Sequence, residues 1–260
     1  MTFWEHLEEL RGCFIRILLA VALGTVVAFC CKDILFALVF APKSPDFITY
    51  RLFKQLFGAV GVRNIDLVNI NLAQQFLIHM KVSLWMGILA TSPYILYVLF
   101  HFMAPGLYRN ERRYALCAVG GGYVMFLLGV LLNYFVIFPF TFQFLGTYQV
   151  HSDVANIISL ESYVSMLLML CFLMGVVFEL PVLCWLLSKL GLLHADTLRL
   201  YRRHAVVVIV IVAAVITPTG DPFTLSLVAL PIYLLYEISI FVVRTTVERG
   251  KATSLNVVEK

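Results

Sequence analysis

One carboxylate stands in the most apolar part of the chain. Between Tyr163 and Leu187, Glu179 is the only residue among Asp, Glu, Lys, Arg and His. A charged side chain at the centre of a bilayer costs roughly 2.5–3.5 kcal/mol on insertion scales, so a residue of this kind marks a functional-site candidate. Two positions on, Pro181 removes a backbone donor and disrupts the hydrogen bond to the carbonyl of Val177. Gly175, one turn earlier, is a notch where a second helix can approach. A carboxylate, a kink and a small-residue notch therefore coincide, and the remaining helices must hide this face from lipid.

Other carboxylates lie towards the chain's polar ends. The stretch Thr2-Phe-Trp-Glu-His-Leu-Glu-Glu-Leu-Arg11 opens with a capping-box pattern, Thr2 then Glu5. At 100° per residue, Phe3, Trp4, Leu7 and Leu10 share one face and Glu5, Glu8 and Glu9 the other. This predicts a short amphipathic helix at the membrane interface whose acidic face suits a basic ligand and not an anionic lipid. Glu111 is the single carboxylate of the tight basic loop Ala104-Pro-Gly-Leu-Tyr-Arg-Asn-Glu-Arg-Arg113. In the plainest reading it pairs with a neighbouring arginine of a loop that anchors the chain by its positive charge.

Thr219-Gly220-Asp221 resembles part of the Gly-x-Gly-Asp signature of intramembrane aspartyl proteases. However, Pro218 stands at the first glycine, and no Tyr-Asp pair exists in the chain. Asp221-Pro222 fits an N-cap followed by proline at the first helical position. There is no HExxH, GxSxG, Walker loop or GxGxxG. The six cysteines lie in or beside apolar runs without metal spacing. Neither enzyme chemistry, a metal nor a cofactor is expected, and nothing points to nucleic acid.

The elements that must position these groups follow from composition. The chain has 260 residues, 62% hydrophobic and 13% charged, with a mean hydropathy of +0.94; soluble domains carry about 25% charged residues. So much apolar surface needs lipid as its solvent, which predicts a single all-α polytopic membrane domain over 1–260. Six spans are read at about 12–36, 71–103, 114–138, 161–187, 204–217 and 222–243. A cap-like loop covers 41–70. Pro93, by freeing the carbonyl of Leu89, Pro181 and Pro231 are the expected helix kinks. Lys81 is expected to snorkel to the interface. Gly120-Gly121-Gly122 is expected to allow close packing, and Pro139 to end the third span. The last two apolar stretches, Ala205–Ile216 and Phe223–Tyr236, are short, the second broken by Pro231 and closed by Glu237. The acidic start has no cleavage-site pattern, so the first span is expected to be retained.

Lys and Arg counting orients the bundle. Arg11, Arg16, Arg109, Arg112, Arg113, Lys189, Arg199, Arg202, Arg203 and the basic tail share one side. The opposite side has Lys32, Lys43, Arg51, Lys54 and Arg63, all in its first loop. Both termini are expected on the cytoplasmic side, with the 41–70 cap periplasmic.

His6-Leu-Glu-Glu-Leu-Arg11, Phe102-Met-Ala-Pro-Gly-Leu-Tyr-Arg-Asn-Glu-Arg-Arg113, Tyr134-Phe-Val-Ile-Phe-Pro139, Gly175-Val-Val-Phe-Glu-Leu-Pro181 and the Thr217-Pro…Asp221…Ala229-Leu-Pro231…Tyr236-Glu237 block occur in an order that resembles the TatC family. This is the multi-spanning subunit of the twin-arginine protein translocase. The resemblance implies six helices in a curved, glove-like array in the bacterial inner membrane. It implies binding of twin-arginine signal peptides of folded cargo, assembly with single-span TatA/TatB-type partners in a larger complex with further copies of the chain, and export driven by the proton-motive force. By motif, Glu9, Arg11, Phe102 and Glu111 fall on the signal-peptide site, and Glu179, with Asp221 and Glu237, on membrane-embedded polar positions. Leu225 departs from a glutamine that many relatives carry. The alternative expectation is a proton-coupled secondary transporter with Glu179 as its relay, against which the lack of an inverted repeat argues.

Overall fold

Helix α1 runs unbroken from Phe3 to Cys30 in the computed structural model, which describes residues 3–57, 63–103, 112–151, 153, 156–189, 191–217 and 220–258. The amphipathic start and the first span are therefore one helix and not two, since no proline interrupts the backbone ladder in that stretch. The expected span 12–36 is itself divided: the helix stops at Cys31, and α2 begins at Lys32 with Asp33 in its first turn, where a carboxylate favours the helix dipole. Among the described residues five helices are long and apolar enough to cross a membrane: Leu7–Cys30, Gln74–Leu99, Val119–Thr147, Leu160–Lys189 and Pro222–Thr246.

Contacts divide the chain into two units, Met1–Tyr108 with Val130–Phe172, and Arg109–Gly129 with Leu173–Lys260. In the first, α1 packs antiparallel on α4 (Gln74–Met103). A Cβ on Gly87 would lie 2.6 Å from the backbone nitrogen of Thr25, and one on Gly24 3.1 Å from the carbonyl oxygen of Gly87. Only glycines allow this approach. Nearer the α2 end, the ring of Phe29 stacks on His79 at 4.1 Å. Pro93 lies inside α4, and the Ser92 hydroxyl donates at 2.7 Å to the Leu89 carbonyl, the acceptor that the proline leaves without its helical donor.

Residues 41–57 and 63–72 fold over one end of this unit. They form a 3-10 turn (Ala41–Lys43), α3 (Ile48–Phe57) and β1 (Leu67–Val68), which pairs in parallel with β2 (Ile158–Ser159). Phe47 stacks on Phe135 at 5.6 Å and Phe53 meets Phe140 edge-on at 4.9 Å. The Gln143 side chain bonds both backbone groups of Arg63, at 3.3 and 3.1 Å. Tyr163, 2% exposed, packs edge-on against Phe138 and Phe142 and donates at 2.9 Å to the Val39 carbonyl. Tyr134 donates at 2.7 Å to that of Leu38, whose helical donor position is taken by Pro42.

Pro139 does not end the third span. Helix α5 (Arg112–Leu132) passes through a π turn (Asn133–Ile137) into α6 (Phe138–Thr147). Proline is tolerated in a first helical turn, and the Phe135 carbonyl that it frees accepts the Thr49 hydroxyl. Nor do Gly120 and Gly121 serve close packing: a Cβ on either meets nothing within 4 Å. A close approach in the second unit is at Gly129, where a Cβ would lie 2.5 Å from the Met174 carbonyl oxygen.

The fourth span is α7 (Leu160–Val177) and α8 (Leu180–Lys189). After α9 (Ala195–Leu200), α10 (Arg202–Ile216) has 15 residues, about 22 Å at 1.5 Å per residue, shorter than a hydrocarbon core of about 30 Å. The expectation of a second short stretch is corrected. Helix α11 runs through Pro231 from Pro222 to Val258, 37 residues, and Glu237 does not close it. Its apolar window extends to Thr246 because Ile238–Val243 add a further apolar run beyond the glutamate.

Candidate functional site

Glu179 lies in the break between α7 and α8. The Phe178 amide still bonds the Met174 carbonyl at 3.0 Å, whereas the Glu179 amide tightens onto Val176 at 3.1 Å. Pro181, in the first turn of α8, has no amide to offer Val177, and no side-chain donor meets that carbonyl among the described residues. The Glu179 carbonyl instead accepts the amides of Val182 and Leu183, at 3.1 and 2.9 Å, and so starts α8. The side chain is 7% exposed, and neither carboxyl oxygen has a hydrogen-bond partner among the described residues. On the preceding turn, Gly175 receives the ring of Phe126, which a Cβ there would meet at 2.7 Å. The break thus presents an unpartnered carboxyl group in an apolar wall, with capacity to hydrogen-bond a polar group brought to it.

The antiparallel α1–α4 pair positions a second group. Glu9 precedes Gly24 by as many residues as Phe102 follows Gly87, so both stand about 22 Å from the glycine crossing, at one end of the pair. Glu8 and Arg11 are exposed, but Glu9 is half-buried, with Oε2 shielded and unpartnered among the described residues. The acidic face is thus not uniformly solvated. Phe102 is half-buried in the last turn of α4. Glu111 lies outside the described residues, so its pairing with a neighbouring arginine does too.

The other candidates have partners. The Asp221 carboxylate accepts the Thr224 amide at 2.7 Å and caps α11, with Pro222 next to it and Gly220, at φ 59°, turning the chain into it. Glu237 is a salt-bridge partner of Arg202 at 2.6 Å and accepts the Tyr233 hydroxyl at 3.2 Å. It thereby ties α11 to the first residue of α10. Leu225, where the resemblance expects glutamine, is half-buried. Lys81 Nζ donates to the Ser165 hydroxyl at 2.7 Å. Sequence reasoning passed over Asn133, fully buried in the π turn, whose Nδ2 donates at 3.0 Å to Cys171 Sγ. A polar residue inside an apolar run was its signal. The roles of Thr49 and Ser165 had no such signal. Among the described residues no group of His, Cys, Asp and Glu could hold a metal ion.

Helices of membrane-crossing length, a proline-broken span with a buried carboxyl and a short α10 beside a long α11 define a polytopic membrane protein. Its class is settled by comparison with known proteins. The family model described as Sec-independent protein translocase protein (TatC) matches residues 5–231, and the chain belongs to the TatC family. The TatC of Blattabacterium sp. subsp. Periplaneta americana is 34% identical over 93% of this chain and 94% of its own length. That of Deinococcus radiodurans is 35% identical over 93% and 85%, and that of Aquifex aeolicus 30% over 96% and 98%. A crystal structure described as the twin arginine translocase receptor TatC superposes with a TM-score of 0.75 at 30% identity, over 93% of this chain and 99% of that one. The chain is accordingly a component of a protein translocase and a transport protein, and the transporter alternative is not favoured.

Proposed function

We propose that this protein is the receptor subunit that binds twin-arginine signal peptides and, with single-span TatA/TatB-type partners and further copies of itself, exports folded proteins across the bacterial inner membrane using the proton-motive force. In this reading α10 is a short sixth membrane-crossing helix, and both termini are cytoplasmic, on the side where cargo arrives. The observation that carries it is the common end of α1 and α4, which brings the Glu9 carboxylate level with Phe102, next in sequence to the loop holding Glu111. A twin-arginine ligand offers two guanidinium forks, which carboxylates accept in bidentate fashion, and Phe102 offers an apolar surface beside them. Arg11, exposed on α1, belongs to the same signal-peptide site by motif. Glu179 then offers a polar contact to a signal or partner helix entering from lipid.

The test is crosslinking of an Arg-Arg signal peptide to the purified protein. Glu111→Lys abolishes it while protein level and topology survive; Glu111→Gln loses less, since it adds no repulsion. Lys-Lys peptides bind more weakly, because lysine cannot reproduce the fork. Equal binding of both peptides, or full binding by the Glu9/Glu111 double reversal, would overturn the reading.

A further inference from the structure

A cavity of about 100 Å³ opens at the N-terminal end of α4, lined by Asn71, Gln74, Leu77, Ile78, Lys81 and Glu161. It holds one cation and one anion that do not meet: no ion pair joins Lys81 to Glu161 within 4.0 Å, and neither has another charged partner among the described residues. Each is instead held by a neutral group. Lys81 Nζ is fixed by Ser165 Oγ at 2.7 Å. Gln74, 4% exposed, accepts the amides of Ile70 and Asn71 on Oε1, at 3.1 and 3.2 Å. That fixes its amide orientation, so Nε2 is turned to Glu161 Oε2 at 3.4 Å. A half-buried lysine two turns inside a membrane span calls for an anion, and a carboxylate holding only an amide has capacity for a cation.

We propose that this cavity takes the headgroup of a phospholipid carrying a primary ammonium, with the phosphate on Lys81 and the ammonium on Glu161. The order of the two charges matches that of such a lipid. Glu161 is level with Gln74 at the start of α4, and Lys81 lies deeper along the helix. Exposed Phe76, Leu77, Met80 and Leu84 follow the same stretch, where the acyl chains would run. From glycerol outward, the lipid presents phosphate first and ammonium last. The ammonium donates N–H bonds to a carboxylate, whereas a trimethylammonium group cannot, and a glycerol headgroup carries no positive charge.

The experiment is native mass spectrometry of the full chain in detergent with equal amounts of dioleoyl phosphatidylethanolamine, phosphatidylcholine and phosphatidylglycerol. The ethanolamine lipid is retained over the other two by roughly tenfold, the weight of one charge-assisted hydrogen bond. Glu161→Gln removes the preference over phosphatidylglycerol, Glu161→Asp keeps it, and Lys81→Gln lowers retention of both. Equal retention of all three by the unaltered protein, or a preference that survives Glu161→Gln, overturns the proposal. So does displacement of the lipid by free O-phosphoethanolamine at equal concentration, which would assign the site to a soluble zwitterion.

Discussion

The Thr49 hydroxyl donates to the carbonyl of Phe135, the acceptor left without its helical donor by Pro139. The same repair recurs where Ser92 meets Leu89 ahead of Pro93 and where Tyr134 meets Leu38 ahead of Pro42. Where water is scarce, a protein donor can satisfy the carbonyl that a proline frees, as at these three prolines. Thr49→Val therefore leaves Phe135 unsatisfied at a cost of about 1–3 kcal/mol. Faster amide exchange in α3 and in the 133–137 turn, together with tryptic cleavage after exposed Arg51 and Lys54, would register the loss. Unchanged protection would show that the bond contributes nothing to holding the cap.

Tyr50 makes the cap sensitive to alkali. Its hydroxyl donates to the carbonyls of Pro42 and Pro139 at 3.2 and 3.0 Å, and burial pushes the phenol above its ordinary value. The native state holds this proton more tightly than the unfolded chain does. Its contribution is therefore complete below the unfolded pKa of about 10 and is lost as pH rises towards the folded one. Exchange protection of α3 falls above about pH 10 in the unaltered protein. Tyr50→Phe starts about 1 kcal/mol lower and shows a flatter alkaline decline.

Glycines of this chain differ sharply in what they carry. Gly129→Val drives a side chain into the Met174 carbonyl and should cost at least about 3 kcal/mol, the upper range for overpacking. Gly120→Ala, in open space within a helix, should be neutral or stabilising by up to about 1 kcal/mol. Thermal denaturation of both variants in detergent gives the comparison. A similar midpoint for the two would refute the close approach of α5 to α7.

Glu179 is predicted to couple signal binding to assembly. Glu179→Ala weakens recruitment of a single-span partner by an Arg-Arg peptide. Glu179→Gln is milder, because the amide keeps hydrogen-bonding capacity. Co-purification of the partner with and without peptide measures the coupling. If both variants recruit like the unaltered protein, the buried carboxyl belongs only to the helix break.

Local chemistry carried far in this chain. An apolar composition left lipid as the only solvent and helices as the form of the spans. Asp221-Pro222 specified its own cap, because donor and acceptor are three residues apart. Pro181 broke its helix by lacking an amide, and that requires no other part of the fold. The tertiary structure decided what lies across sequence distance. Pro139 carried the same instruction as Pro181, yet the chain passes through a π turn into α6, and the hydroxyl that satisfies Phe135 comes from Thr49, 86 residues away. Glu237 read as a terminator, yet α11 runs on past it, and its ion-pair partner Arg202 lies 35 residues back. Lys81 gave no sign in the sequence that its hydrogen-bond acceptor would be Ser165, 84 residues away. A proline or a charge states locally which partner it lacks, but only packing determines whether one arrives.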